Sequence, residues 1–227
     1  MDALLAGHAF RTIIAMKHVS PVYTTWVRSI VPAQFTGNST VTHSRYKASN
    51  RMQAEEYYTI AARRLLEVNH WQQWAGKATA AFQLVDALGH EQNRAAQKGD
   101  YFRIDIPAPG NPDGKGDDWV QVQVIGERNT GQQRLTFITV RAALSPLANN
   151  DNASHFFERQ ATSTFLVYQE NCDLIAAVYG RNEHPNVNSG NLVTRLRNWL
   201  VYIGARFGLS ALQWKSLTKG LLSFPDR

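Results

Sequence analysis

The chain has 227 residues, 44% of them hydrophobic and 19% charged, which suits one globular domain with at most a small appendage and excludes a disordered chain. Fifteen Gly and eight Pro are ordinary numbers, and no apolar run approaches the roughly 18 residues needed to cross a bilayer, so fibrous and membrane-spanning classes are not expected. The net charge of +6 sits at the two ends: residues 1–51 net +5, residues 52–190 net −4 and residues 191–227 net +5, so the body is near neutral and nucleic acid is disfavoured as a partner.

Residues 1–51 are almost free of acids, rich in Ser and Thr, and without sustained periodicity after Val31. They read as a basic N-terminal extension that is disordered, targeting or dispensable. The short apolar stretches there, broken by His8 and Arg11, do not make a secretory signal, and a cytoplasmic location is the expectation. Residues 52–227 are expected to form a single α+β domain. Asn50 with Gln53 resembles a helix cap, and Tyr57, Ala61, Leu65 and Val68 recur at helical spacing. Six strands follow: Phe82–Ala87, Tyr101–Ile106, Trp119–Glu127, Leu135–Arg141, Thr162–Gln169 and Leu174–Tyr179. Val120, Val122 and Val124 alternate with Gln121 and Gln123, which predicts an antiparallel sheet with one dry and one wet face. Glu170–Asp173 should form the tightest hairpin, and Gly126–Gly131 should join the third strand to the fourth. Leu192, Leu196, Trp199, Leu200, Ile203 and Phe207 predict a helix ending at Gly208 that covers the sheet. Ser210 with Gln213 then caps a last helix, stopped by Gly220 and Pro225.

Several chemistries are missing. Gly110–Gly116 lacks the spacing and hydroxyl of a phosphate-binding loop, and strands do not alternate with helices, so a dinucleotide fold is excluded. Cys172, the sequence's one cysteine, closes no internal disulfide and builds no Cys-rich zinc site. Asp113, Asp117 and Asp118 depart from the spacing of a calcium loop and read as a turn. No cofactor and no metal are expected. The richest cluster is Tyr179–Asn186 at the end of the last strand, where Arg181 could hold an anionic group and Glu183 or His184 could serve as acid or base. Adjacent strand residues face opposite ways, so Glu183 and His184 cannot share a pocket if the strand continues.

Two sets of strings, Gly99–Pro107 with Asp118-Trp119-Val120, and Ala161–Phe165 with Gly180–Glu183 and Gln213-Trp214-Lys215, resemble an uncharacterised bacterial family of unknown function over about residues 52–227. That resemblance implies no activity. The order of helix, six strands and long C-terminal helix is similar to the helix-grip fold of START-like and polyketide-cyclase-like proteins, in which a curved sheet wraps a helix around an apolar ligand cavity. It departs from that fold in lacking a first strand before the short helices, which only Ala9–Met16 could supply.

These readings lead to a noncatalytic domain that binds an apolar small molecule, with Arg181, Glu183, His184, Trp119 and Trp199 as ligand-binding residues and Arg181 at the mouth. The alternative is a structural or partner-binding module that presents its basic C-terminal helices through Arg195, Arg197 and Arg206.

Overall fold

A computed structural model describes residues 25–77, 79–105, 118–147, 160–183 and 207–225. The chain divides into two compact units, Met1–Ile30 and Val31–Arg227. In the first, α1 (Thr25–Ile30) is a single short helix in which Ser29 Oγ donates to the Trp26 carbonyl.

The second unit is α+β. It opens with β1 (Asn38–Lys47), α2 (Arg51–Leu66), a 3₁₀ turn at Val68–His70 and α3 (Trp71–Ala75). The strands β2 (Ala81–Val85), β3 (Tyr101–Asp105), β4 (Asp118–Asn129), β5 (Gln133–Ala142), β6 (Thr162–Glu170) and β7 (Asp173–Glu183) follow, and α4 (Phe207–Leu221) comes last. All neighbours pair antiparallel in one seven-stranded sheet of order β1-β7-β6-β5-β4-β3-β2.

Six strands were expected, and the seventh comes from the stretch read as an extension. Its sequence, Asn-Ser-Thr-Val-Thr-His-Ser-Arg-Tyr-Lys, carries little apolar signal because β1 is an edge strand. The inward position Ser44 is satisfied by a hydrogen bond with Thr218 Oγ1 at 2.8 Å instead of by apolar contact. Arg45 pairs with Asp173 on the neighbouring strand at 2.8 Å, and charged side chains of this kind blunt an exposed edge.

The Asn50 cap is observed: its side chain accepts from Gln53 N, while Gln53 Oε1 accepts from Ser49 N. Ala54, Tyr57, Tyr58, Ala61 and Leu65 of α2 pack on the sheet through Phe82, Phe102, Ile138, Phe165, Val167, Leu174, Ala176 and Val178. At the centre is Trp71, fully buried, with ring centroids 5.1 Å from Phe82, 5.8 Å from Phe102 and 4.8 Å from Phe165. Trp214 of α4 closes the cluster against Phe165 at 5.3 Å. At the other end, Phe224 stacks on Tyr57 at 4.0 Å, and Arg64 Nη1 donates to the carbonyls of Gly220, Leu221 and Ser223. Those acceptors lie at the end of α4, where helix carbonyls lack internal partners.

The Glu170–Asp173 hairpin forms as expected, with Asn171 in the left-handed region at φ 53°. Three other details differ. Gly126 does not turn the chain: β4 runs on to Asn129 and the turn falls at Thr130–Gln132, while Gly126 makes room for the Phe137 ring opposite. A bulge between Val122 and Val124 shifts the register, so Val124 leaves the helix-facing side and is 45% exposed. Gly208 and Ser210, read as a helix stop and a helix cap, both lie within α4. The helix expected over residues 191–207 lies almost wholly outside the described residues.

The one-wet-face expectation holds for Gln121 and Gln123 but not for the centre of the sheet. Leu135, Leu166, Tyr168, Ala177 and Tyr179 alternate with the helix-facing residues and are also buried. The runs Phe-Leu-Val-Tyr in β6 and Leu-Ile-Ala-Ala-Val-Tyr in β7 are the continuous apolar pattern of strands dry on both faces.

Candidate functional site

At one end of the sheet β3, β5 and β7 finish and β4 and β6 begin. Along β7, Leu174, Ala176 and Val178 face the helices, and regular alternation would continue with Gly180 and Asn182. The pairing with β1 breaks that alternation. Gly180 pairs with Thr40, but the next pair is Glu183 with Asn38, so two residues of β7 stand opposite one of β1. This is a β-bulge, and Asn182 takes its left-handed position at φ 55°, a conformation Asn tolerates better than most side chains.

The bulge returns Glu183 to the helix-facing side. Its carboxylate folds over Gly180 so closely that a Cβ there would overlap both Glu183 Oε1 and Thr40 Oγ1. Glu183 thereby lines a cavity of about 40 Å³ with Val120, Val140, Ala142, Ala161, Thr162 and Ser163. The walls are mostly apolar, and the carboxylate is the charged group among them. Each carboxylate oxygen lies 3.4 Å from Thr40 Oγ1, a long contact. Burial pushes the Glu183 carboxyl above its ordinary value, opposed in part by the Thr40 hydroxyl and the Arg181 charge.

Arg181 does not stand at the mouth. It lies on the opposite face, 8% exposed, with its guanidinium 5.4 Å from the Tyr179 ring centre. Its Nη1 donates to the carbonyls of Gly180 at 2.7 Å and Thr40 at 3.3 Å, groups that flank the bulge. Arg181 thus holds the backbone whose irregularity turns Glu183 inward. Asn182 holds the preceding loop: its Oδ1 accepts from Phe35 N at 2.7 Å and Thr36 N at 3.2 Å, and its Nδ2 donates to the Ala33 carbonyl at 3.0 Å. Its own N–H donates to Gln34 Oε1.

Trp119 pairs with Arg103 on the face away from the helices, and its neighbour Val120 takes the cavity position. His184 and Trp199 lie outside the described residues. Of the five residues expected to bind ligand, Glu183 alone is found at the cavity among those described. Val120, Val140, Ala142, Ala161 and Ser163 carried no separate signal, because small and β-branched residues are the ordinary filling of any strand.

Cys172 sits half-buried in the β6–β7 hairpin, and Asp118 opens β4, while Asp113 and Asp117 lie outside the described residues. No group of three metal-ligating side chains converges among the described residues. The basic residues Arg195, Arg197 and Arg206 also lie outside them, and Lys215 is engaged within the fold, its Nζ donating to the His43 carbonyl. No described helix is long and apolar enough to cross a membrane.

β1 supplies the strand whose absence set the sequence apart from the helix-grip arrangement. Among the described residues the order of elements is a first strand, short helices, six further antiparallel strands and a C-terminal helix against the sheet. No family model and no curated protein matches the sequence. Among solved structures, the chain is similar to a hypothetical protein from Helicobacter pylori, at 12% identity over 82% of this chain and 87% of that one, with a TM-score of 0.45. It is also similar to norcoclaurine synthase from Thalictrum flavum (11% identity, 86% and 100% covered, TM-score 0.40) and to ginseng major latex-like protein 151 from Panax ginseng (10%, 82% and 97%, TM-score 0.34). Scores this low carry no functional argument, and the arrangement stands on the strand register.

Proposed function

We propose that the chain is a noncatalytic binding domain for a small apolar molecule, which docks at the end of the sheet where β5, β6 and β7 meet. The observation that carries this reading is the apolar cavity formed by Val120, Val140, Ala142 and Ala161 with a single incompletely bonded carboxylate at its edge. Binding sites are commonly apolar with a few placed polar groups that fix orientation. A volume of about 40 Å³ holds about three water-sized groups, so the cavity takes the end of a molecule and not its whole body.

Native mass spectrometry of the full chain, purified without denaturation and compared with the same chain denatured and refolded, tests the reading. A stoichiometric extra mass that disappears on denaturation and partitions into organic solvent is expected. A bare mass in both preparations, unchanged by a panel of apolar small molecules, would contradict it.

A further inference from the structure

We propose that the end group seated beside Glu183 is a protonated amine carried by an otherwise apolar molecule. This rests on the binding reading above and names the ligand chemistry of that site. An ionised carboxylate has about four acceptor positions. Those of Glu183 meet one hydroxyl, Thr40 Oγ1, at 3.4 Å from each oxygen, beyond the usual range for such bonds. None of the ion pairs among the described residues includes Glu183. Arg181 Nη1 donates to two backbone carbonyls on the other face, so the Arg181 charge acts on Glu183 from a distance and not through an ion pair.

The surroundings sort the heads a ligand can carry. A neutral apolar head displaces water from the partly exposed carboxylate without replacing its hydrogen bonds, which costs binding. A carboxylate head brings like charge to Glu183. An ammonium group supplies up to three donors and the opposite charge, and charge-assisted bonds of this type are the stronger ones. Size agrees, because a methylene and an ammonium fit about 40 Å³ whereas an aromatic ring does not. Gly180 belongs to the same arrangement: the carboxylate occupies the space a side chain there would fill.

Calorimetric titration of the full chain at neutral pH with hexylamine, hexanol and hexanoate tests the proposal. Hexylamine, protonated at this pH, is expected to bind about tenfold more tightly than hexanol, with hexanoate weaker still. Glu183→Gln should remove that tenfold preference, leaving hexylamine and hexanol with affinities within about twofold of each other. Gly180→Ala, whose methyl pushes the carboxylate aside, should reduce the preference in the same direction, with circular dichroism and urea unfolding confirming that both variants fold. If hexanol or hexanoate binds as tightly as hexylamine, or if Glu183→Gln keeps the preference, the amine proposal is overturned and the binding reading stands. If none of the three six-carbon probes binds the wild type, both fall.

Discussion

Replacing Asn182 with Ala and separately with Gly divides its contribution into two parts. The side chain makes three hydrogen bonds to the loop before β1, through Phe35 N, Thr36 N and the Ala33 carbonyl. At about 1 kcal/mol net for each, both variants lose about 3 kcal/mol on this account. The backbone at φ 55° adds a second part. A left-handed residue with a Cβ costs about 1–2 kcal/mol, which Asn tolerates and Ala does not escape, whereas Gly has no such cost. Gly gives back part of that advantage through the greater freedom of its unfolded chain, about 0.4–1 kcal/mol. The expected losses are about 4 kcal/mol for Asn182→Ala and somewhat above 3 kcal/mol for Asn182→Gly. Urea unfolding followed by tryptophan fluorescence measures this, and at a slope near 2 kcal/mol per molar the midpoints fall by about 1.5–2 M. Midpoints within about 0.3 M of wild type, or Ala more stable than Gly, would refute the bulge as an anchored feature.

Four further outcomes are expected. Gly220→Ala raises intrinsic helix propensity by at most about 1 kcal/mol, yet its methyl would overlap the Trp74 carbonyl oxygen and lie 2.6 Å from the carbonyl carbon, so overpacking of about 1–3 kcal/mol should prevail and thermal unfolding should come earlier. An unchanged or higher Tm would mean that α3 and α4 are not in close contact. Trp71→Ala empties the centre of the aromatic cluster and leaves the Arg64 and Leu65 carbonyls without its indole donor, for a loss of about 3–5 kcal/mol in equilibrium unfolding; a loss under about 1 kcal/mol would contradict the packing. Because burial raises the Glu183 carboxyl above its ordinary 4.5, folding favours the protonated form, and the stability this group contributes is lost as pH rises through the folded value. The Tm of Glu183→Gln should therefore gain on wild type between pH 4 and pH 7, and a difference that is flat or shrinks with pH counts against a buried carboxylate. Finally, a chain beginning at Val31 should give a cooperative unfolding transition, whereas one beginning at Met52 lacks β1 and leaves the edge of β7 unpaired, so it should aggregate or fail to unfold cooperatively.

Most of the sheet was legible because β2 to β7 combine β-branched and aromatic residues with turns of Gly, Asn and Asp. Their ends were less so: β7 continues through Gly-Arg-Asn-Glu, residues that read as a connection, because a bulge and backbone contacts from Arg181 hold them in the ladder. β1 was not legible because an edge strand can face inward with Thr, Ser and Tyr and still be satisfied, as Ser44 is by Thr218. At the site, Glu183 was picked out by its place at a strand end, but its direction was not. A period-two reading assigns faces by counting residues, and the extra residue at Asn182 reverses the count. The same effect at Val122 and Val124 moved a valine out of the helix-facing side. Arg181 shows the complementary limit: charge and position suggested an anion-binding group, while the geometry engages it with two carbonyls and the Tyr179 ring.

The most direct test of the binding cavity is methyl NMR of the full chain with labelled Val, Ala and Leu during titration with hexylamine. Saturable shifts are expected at Val120, Val140, Ala142 and Ala161, with the methyls of Leu65 and Leu84 in the packed core unmoved. Shifts centred on Leu135 and Leu166, or saturable binding that leaves the four cavity residues unchanged, would contradict the account.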